Sequence, residues 1–348
     1  MLMRVGLEAT AALANRFTGV PRYTVELANA FAALDDAGLR CRMLFRLADY
    51  RKRALMPSYP WPVRWYCSGP WPAMPRCDVV HGLGTRLPRR SGRAARVITI
   101  HDLSPFMLPN YGSERTLRNA QQRYREAADA DRIIAVSQAT KDDYVRIFGV
   151  PAGRIDVVHH GISAEFLGAD PRAARADAPY FLAFGGTPRK NLARTLEAFA
   201  ISRVRKSFVL RVLGPPDAAS NAALDAAALG DAVRFEPDAD DAGMATLYRG
   251  SSGLLFPSLQ EGFGLPLLEA MACSTPVLTS ARPGTAEIAG GHALLVDPES
   301  VESIAAGIDS LPAVGADAQA AAAAYARTFT WRRAAERTLS VYRSVAGN

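Results

Sequence analysis

Short apolar runs alternate with amphipathic helical segments along almost the whole chain, and few folds accept that pattern. In the first half MRVGLEA, CRMLFR, CDVVHGL, RVITIHD, RIIAVS and RIDVVHHG read as strands, and PRYTVELANAFAALDDAG, ERTLRNAQQRYREAADA and ATKDDYVRIFG as helices. The second half repeats the scheme with YFLAFGG, FVLRVLG, AVRFEP, GLLFPS, PVLTS and LLVDP as strands. Helical segments NLARTLEAFAIS, AALDAAAL, DAGMATLYRGS, PLLEAMAC, GTAEIAGG and SVESIAAGIDSL fill its gaps, and alanine-rich AQAAAAAYA adds another. Strands alternating with helices mean parallel sheets with crossover helices, an α/β chain. At 348 residues there is room for two cores. The seam is expected in EFLGADPRAARADAPY, residues 165–180, which is polar, carries Pro171 and Pro179, and lacks an apolar period. Two doubly wound domains, 1–165 and 178–329, would then face each other across a cleft at the carboxyl ends of their sheets. The last segment, 330–348, places Trp331, Ala335, Leu339 and Tyr342 on one helical face and is expected to complete the N-terminal domain.

The most specific stretch is PSLQEGFGLPLLEAMACSTPV, Pro257 to Val277. It sets Glu261 and Glu269 on either side of a strand-to-helix turn, with Gly262 and Gly264 letting backbone amides approach a ligand. Pro266 opens the helix. A helix start at the end of a buried strand is an anion site, yet two carboxylates there would repel a phosphate. The economical reading is that they accept hydrogen bonds from hydroxyls beside the phosphate, as on a sugar and a ribose. That points to a nucleotide-sugar.

A second signal is FGGTPRKNLARTLEAF, where Arg189 and Lys190 precede a helix. Cations at a helix N-terminus oppose the macrodipole unless an anion joins them. Arginine can clamp a phosphate bidentately and lysine adds a point charge. A solvated basic loop is the plainer alternative, but Glu261 and Glu269 in the same half favour a site. His101 and Asp102 follow the strand RVITI, where His101 could donate to a sugar hydroxyl or simply be satisfied by Asp102. Gly19, in NRFTGVPRY, would let amides approach a phosphate.

Other patterns exclude more than they promise. Gly82-Leu83-Gly84 lacks the third glycine of a dinucleotide fingerprint, which argues against a dehydrogenase. Asp238-Ala239-Asp240 is a D-x-D, in which Asp240 or the following Asp241 reads as a helix N-cap in preference to a metal ligand. His159-His160 lacks further plausible ligands, so no zinc is expected. No GxxxxGK[ST], HExxH or GxSxG occurs.

Hydrophobic content of 49% and charged content of 22% are those of an ordinary soluble protein. No apolar run reaches spanning length, and Glu8 interrupts the N-terminal stretch, so a first strand is expected there in place of a signal peptide. Four cysteines without a CxxC pair suit a reducing cytosol. The net charge of +7 divides unevenly: residues 1–165 hold 24 Lys+Arg against 15 Asp+Glu, or +9, and the rest 17 against 19, or −2. Clusters at Arg51-Lys52-Arg53 and at Arg89, Arg90, Arg93 and Arg96 supply most of the excess. They read as a solvated surface or as a face for an anionic membrane leaflet. With no recognisable motif or interleaved aromatics, nucleic acid is not expected as a partner.

The combined pattern resembles glycosyltransferase family 4, over almost the whole chain. TGVPRYTVELANAF looks like the family's first glycine loop, and HDLSP, ADRIIAVSQATKDDY and IDVVHHGI like its later N-domain blocks. GTPRKN looks like its phosphate-binding block and EGFGLPLLEA like its E-x7-E signature. The resemblance implies the GT-B fold of two facing Rossmann-like domains. It gives the donor pyrophosphate to Arg189 and Lys190, and the ribose hydroxyls to Glu269. Glu261, with amides of Phe263, Gly264 and Leu265, would contact the transferred sugar and its phosphate. His101 would line the reaction centre, and Gly19 would approach the diphosphate from the other domain. Where many members carry a further arginine, this chain has Gly186-Thr187, which leaves more charge to Arg189 and Lys190; His160-Gly161 replaces a common Asn-Gly.

The activity implied is retaining transfer of a hexose without metal or other cofactor. The TGVPRY and HDLSP wording looks most like members using GDP-mannose, with UDP- or dTDP-sugars behind. A glycan or lipid-linked acceptor in bacterial surface polysaccharide synthesis is expected, in the cytoplasm and against the inner face of the membrane. The alternatives are a GT-B epimerase or phosphorylase, or an inactive GT-B partner protein.

Overall fold

The structure is a computed structural model that describes residues 2–14, 19–67, 75–84, 86–88, 92–108, 112–168, 179–237 and 239–346. Two compact units emerge, one of 1–161 with 330–348 and one of 162–329.

Unit 1 is built on seven strands: β1 Met3–Glu8, β2 Leu39–Arg46, β3 Val63–Tyr66, β4 Val79–Gly82, β5 Ala95–Ile100, β6 Arg132–Ala135 and β7 Ile155–Val157. Unit 2 is built on six: β8 Tyr180–Phe184, β9 Val209–Leu213, β10 Val233–Glu236, β11 Gly253–Phe256, β12 Val277–Ser280 and β13 Leu294–Val296. Every pairing between them is parallel. The orders are β3-β2-β1-β4-β5-β6-β7 and β10-β9-β8-β11-β12-β13. Each sheet therefore reverses direction once, between β1 and β4 in unit 1 and between β8 and β11 in unit 2, and ligands of such sheets bind at that reversal.

The strands form because both faces are covered. Val5, Leu7, Val79, Val97 and Ile134 share one core with Leu27 and Phe31 of helix Val20–Ala33 and with Trp331, Leu339 and Tyr342 of the terminal helix Trp331–Val345. Trp331, Ala335, Leu339 and Tyr342 are all buried, so the apolar stripe read from the sequence is the face that packs. Thr330 caps this helix by accepting from the Arg333 amide. Unit 2 has its own core, in which Phe181, Leu210, Val212, Leu255 and Leu278 meet Leu196 and Phe199 of helix Leu192–Ile201.

Two details differ from the sequence reading. The seam falls after Gly161, not at 165, because the short helix Ala164–Leu167 buries Phe166 in unit 2. Arg249 donates to the Glu165 carbonyl at 2.8 Å and fixes that segment further; residues 169–178 of the expected linker lie outside the described residues. Strand β3 carried no recognised signal: it is short and half-exposed, and β2 recruits it through the pairs Met43↔Val63 to Arg46↔Tyr66. Among the described residues no helix is long and apolar enough to cross a membrane.

Candidate functional site

The unit 2 site is assembled from two strand ends. After β8 the chain turns through Gly186, at φ 86°, into a 3-10 turn, Pro188–Lys190. It then passes through Asn191 at φ 60° before helix Leu192–Ile201 begins. Asparagine is one of few side chains that tolerate this left-handed conformation. Here the buried Asn191 amide group donates to the carbonyls of Pro257 at 3.0 Å and Pro298 at 2.7 Å, while its oxygen accepts from Arg194 at 3.1 Å. The Leu259 amide donates to the Arg189 carbonyl at 2.9 Å. These bonds pin the cationic turn to the loop that follows β11.

That loop delivers Glu261. Its Oε1 accepts from Lys190 Nζ at 2.8 Å and lies 2.6 Å from Arg189 Nη1. The anion required to offset two cations at a helix start is thus partly supplied by the chain itself. Lys190 Nζ also lies 4.1 Å from the centre of the Phe256 ring, a cation–π contact. Burial lowers the Lys190 pKa to about 8 despite the opposing pull of Glu261. Burial would raise the Glu261 carboxyl, but the charges of Lys190 and Arg189 outweigh it and hold it below its ordinary range. Desolvated ion pairs of this kind gain little stability over apolar packing, so their presence calls for another reason.

Gly264, at φ 89°, precedes helix Leu265–Ala272, where only a residue without Cβ is unstrained. Pro266 is the second residue of that helix and not its first, which leaves the Leu265 amide in the opening turn. Phe263 is buried and meets Phe329 edge-on. One turn into the helix Glu269 is buried, and its Oε2 accepts from Tyr248 at 3.1 Å. Arg189, Lys190, Glu261, Phe263, Gly264, Leu265 and Glu269 therefore belong to one unit, and Glu261 joins the two cations directly. Sequence reasoning gave no role to Asn191, Tyr248 or Ser258. Ser258 Oγ is buried with no hydrogen-bond partner among the described residues. Asn191 had a readable signal, since an asparagine immediately before a helix after a 3-10 turn suits positive φ.

Unit 1 holds Gly19 and His101. Gly19, at φ 59° and ψ −121°, caps helix Val20–Ala33, while residues 15–18 of its loop lie outside the described residues. His101 follows β5, and its Nε2 donates to the Leu83 carbonyl at 2.7 Å. Asp102 is not its partner: that carboxylate accepts from the Ser104 amide at 3.0 Å. Burial lowers the His101 pKa, so the ring is neutral with Nδ1 as its acceptor nitrogen. The Tyr23 ring meets His101 edge-on at 4.7 Å. Beneath it runs a buried chain: Tyr23 Oη to Thr99 Oγ1 at 2.9 Å, Thr99 to His81 Nε2 at 2.8 Å, and His81 Nδ1 to Tyr342 Oη at 2.6 Å. His81 is neutral, its pKa lowered to about 3 by burial. Tyr342 is the donor of its bond, since the reverse would strand a buried hydroxyl proton.

Glu8 closes β1, opposite Gly82 of β4. Its carboxyl is fully buried, raised in pKa by burial, and accepts from Thr10 and, at 3.1 Å, from Tyr66. Asp240 caps helix Asp241–Gly250 through the Gly243 amide at 2.8 Å, as read from the sequence; Asp238, like Arg89 and Arg90, lies outside the described residues. Among the described residues no three His, Cys, Asp or Glu side chains form a group that could hold a metal ion.

Two doubly wound units, one with a cationic strand-to-helix turn at its sheet reversal, define a GT-B glycosyltransferase. The comparisons with known proteins take the assignment further. Residues 17–166 match the family described as Glycosyltransferase Family 4, and residues 174–328 match Glycosyl transferases group 1. The O-antigen chain mannosyltransferase B of Escherichia coli is 30% identical over 76% of this chain and 74% of its own. A D-inositol 3-phosphate glycosyltransferase of Streptomyces avermitilis is 34% identical over 62% of this chain, which spans only 52% of that relative. Among solved structures, the sucrose-phosphate synthase of Thermosynechococcus elongatus superposes with a TM-score of 0.76 at 22% identity, covering 98% of each chain. WaaG, a glycosyltransferase involved in lipopolysaccharide biosynthesis, gives 0.71 at 17% identity, covering 99% of this chain and all of its own (100%). This chain belongs to glycosyltransferase family 4 and is a transferase enzyme.

Proposed function

We propose that the enzyme moves a hexose, with mannose from GDP-mannose favoured, to a glycan or lipid-linked acceptor during surface polysaccharide synthesis. The single observation that carries the donor assignment is the convergence of Arg189 and Lys190 on Glu261 at the sheet reversal of unit 2. A diphosphate competes with Glu261 for both cations. As its oxygens take them, the carboxylate is released toward the hydroxyls of the transferred sugar. Glu269, held by Tyr248, takes the ribose hydroxyls, and the amides of Phe263, Gly264 and Leu265 meet the sugar phosphate. We assign Gly19 and His101 of unit 1 to the diphosphate and the transferred sugar through the family resemblance.

In the reaction the bond between the anomeric carbon and the phosphate oxygen breaks, and nucleoside diphosphate leaves with the electron pair. The acceptor hydroxyl attacks the same face, and its proton passes to the departing phosphate oxygen, so configuration is retained. Arg189, Lys190 and the helix start stabilise the charge that grows on the leaving group, a preorganised effect on the order of 3 kcal/mol per key donor. They take the place of a metal ion. The E. coli mannosyltransferase supports mannose and a surface glycan by its name.

The test is a thermal-shift screen of GDP, UDP, dTDP, ADP and their common sugars, followed by product analysis with the sugar that binds. Release of nucleoside diphosphate with an anomerically retained glycoside, undiminished in excess chelator, is expected. Sugar 1-phosphate as the product would indicate a phosphorylase, a nucleotide-bound epimer an epimerase, and no nucleotide binding an inactive partner protein.

A further inference from the structure

His101 belongs to a closed group of aromatic side chains in unit 1. The His160 ring stacks on its imidazole, with centres 5.5 Å apart and planes 30° from parallel. Tyr23, edge-on to His101, also meets His160 at 4.8 Å. Trp331 covers both of these neighbours, 5.6 Å from His160 and 6.1 Å from Tyr23. Such separations are those of favourable ring pairs. Tyr23, His160 and Trp331 are buried, whereas His101 is half-buried.

Each covering ring is held from its own side. Tyr23 Oη bonds to Thr99 Oγ1, and Trp331 opens a helix that Thr330 caps. Gly161 brings His160 to Trp331. A Cβ on Gly161 would fall 2.1 Å from the Trp331 amide nitrogen and 2.5 Å from the Thr330 carbonyl carbon, so only glycine permits the approach. For His101 the consequence is a locked ring. The Leu83 carbonyl accepts from Nε2, and a swing or flip of the imidazole would drive it through the Tyr23 edge or the His160 face.

We propose that His160 and Trp331 are positioning residues for His101: with Tyr23 they hold its imidazole in one orientation and one tautomer, Nε2–H on the Leu83 carbonyl and Nδ1 left to accept from a substrate hydroxyl. The orienting contacts lie within unit 1, and their effect on turnover rests on the assignment of His101 to the transferred sugar. A ring cluster that only filled the core would serve stability without changing the state of His101. Preorganised side chains of this kind depend on the packing that surrounds them.

The full chain carries five histidines, so isotope-labelled histidine resolves each ring by nitrogen NMR, and His101→Ala identifies the His101 signals. The wild type should show a single neutral Nε2–H tautomer there. His160→Ala should replace it by a mixture of both tautomers, as should Trp331→Leu, which keeps apolar bulk but no ring. His160→Phe, which restores a ring face, should recover the single form. Turnover is read as GDP released from GDP-mannose. His160→Ala should lower it about 10- to 100-fold with little change in KM. Added to His101→Ala, it should lower turnover no further. The thermal shift produced by GDP should persist in every variant, which shows that each is folded. An unchanged single tautomer in both His160→Ala and Trp331→Leu, or additive losses in the double variant, would overturn the proposal. Wild-type turnover by His101→Ala, with mixed tautomers in His160→Ala, would leave the orienting contacts standing and remove His101 from the reaction.

Discussion

Units 1 and 2 share one strand order over six strands, unit 1 adding a seventh at its edge, yet their sheet reversals hold different kinds of chemistry. At the end of β8 and β11, unit 2 gathers charges: Arg189 and Lys190 on Glu261, with buried Glu269 nearby on the following helix. At the ends of β1, β4 and β5, unit 1 gathers buried polar groups whose charged forms burial disfavours: Glu8 is raised in pKa, and His81 and His101 are lowered. The topology fixes where a ligand can sit, and the side chains decide what it is. A cluster of desolvated charges suits a diphosphate and its hydroxyls. A buried network in which burial disfavours charge suits uncharged hydroxyls.

The sharpest way to break this contrast is Glu261→Gln, which keeps shape and removes charge. Turnover should fall about 100- to 1000-fold while GDP binding stays detectable, read by steady-state kinetics beside calorimetry. Wild-type turnover would remove Glu261 from the reaction. Lys190→Ala should weaken GDP about 10- to 100-fold, the range for losing one charge-assisted hydrogen bond. Unchanged affinity by calorimetry would strip unit 2 of its phosphate role.

Asn191→Asp turns a double donor into an acceptor facing the Pro257 and Pro298 carbonyls. It should cost about 1–3 kcal/mol in urea unfolding. An effect below that range would show that the cationic turn does not depend on this anchor. A smaller effect is expected from pH. With a pKa of about 8, Lys190 is cationic below that value and loses its charge as pH rises through it. GDP affinity should therefore decline above pH 8 in the wild type, and the decline should be absent in Lys190→Ala. The smallest expected change is in unit 1, where Tyr342→Phe leaves His81 Nδ1 without its donor. It should cost about 1 kcal/mol in stability and leave GDP affinity untouched.

The strand and helix succession was legible because parallel strands buried on both faces are near-continuous apolar runs, as Ile133–Ala135 of β6 and GLLF of β11 are. Strand β3 was not, since VRWY at a sheet edge is half-exposed and depends on β2 for its pairing. The charged half of the site was legible for a related reason. Cations before a helix and acids around a glycine turn break local rules, and such breaks mark function. What remained hidden depends on contacts between distant residues: the Glu261 pairing across 71 positions, and the His81–Tyr342 bond across 261. The partner of His101 was hidden likewise, because its neighbour Asp102 turns to Ser104 and the Leu83 carbonyl takes the ring.

The central claim is that the cationic turn of unit 2 grips a nucleoside diphosphate at the expense of Glu261. A crystal structure with GDP bound tests it most directly. Phosphate oxygens should lie within hydrogen-bond distance of Arg189 and Lys190, with the Glu261 carboxylate no longer bridging them. A nucleotide seated elsewhere, with both ion pairs to Glu261 intact, would contradict it.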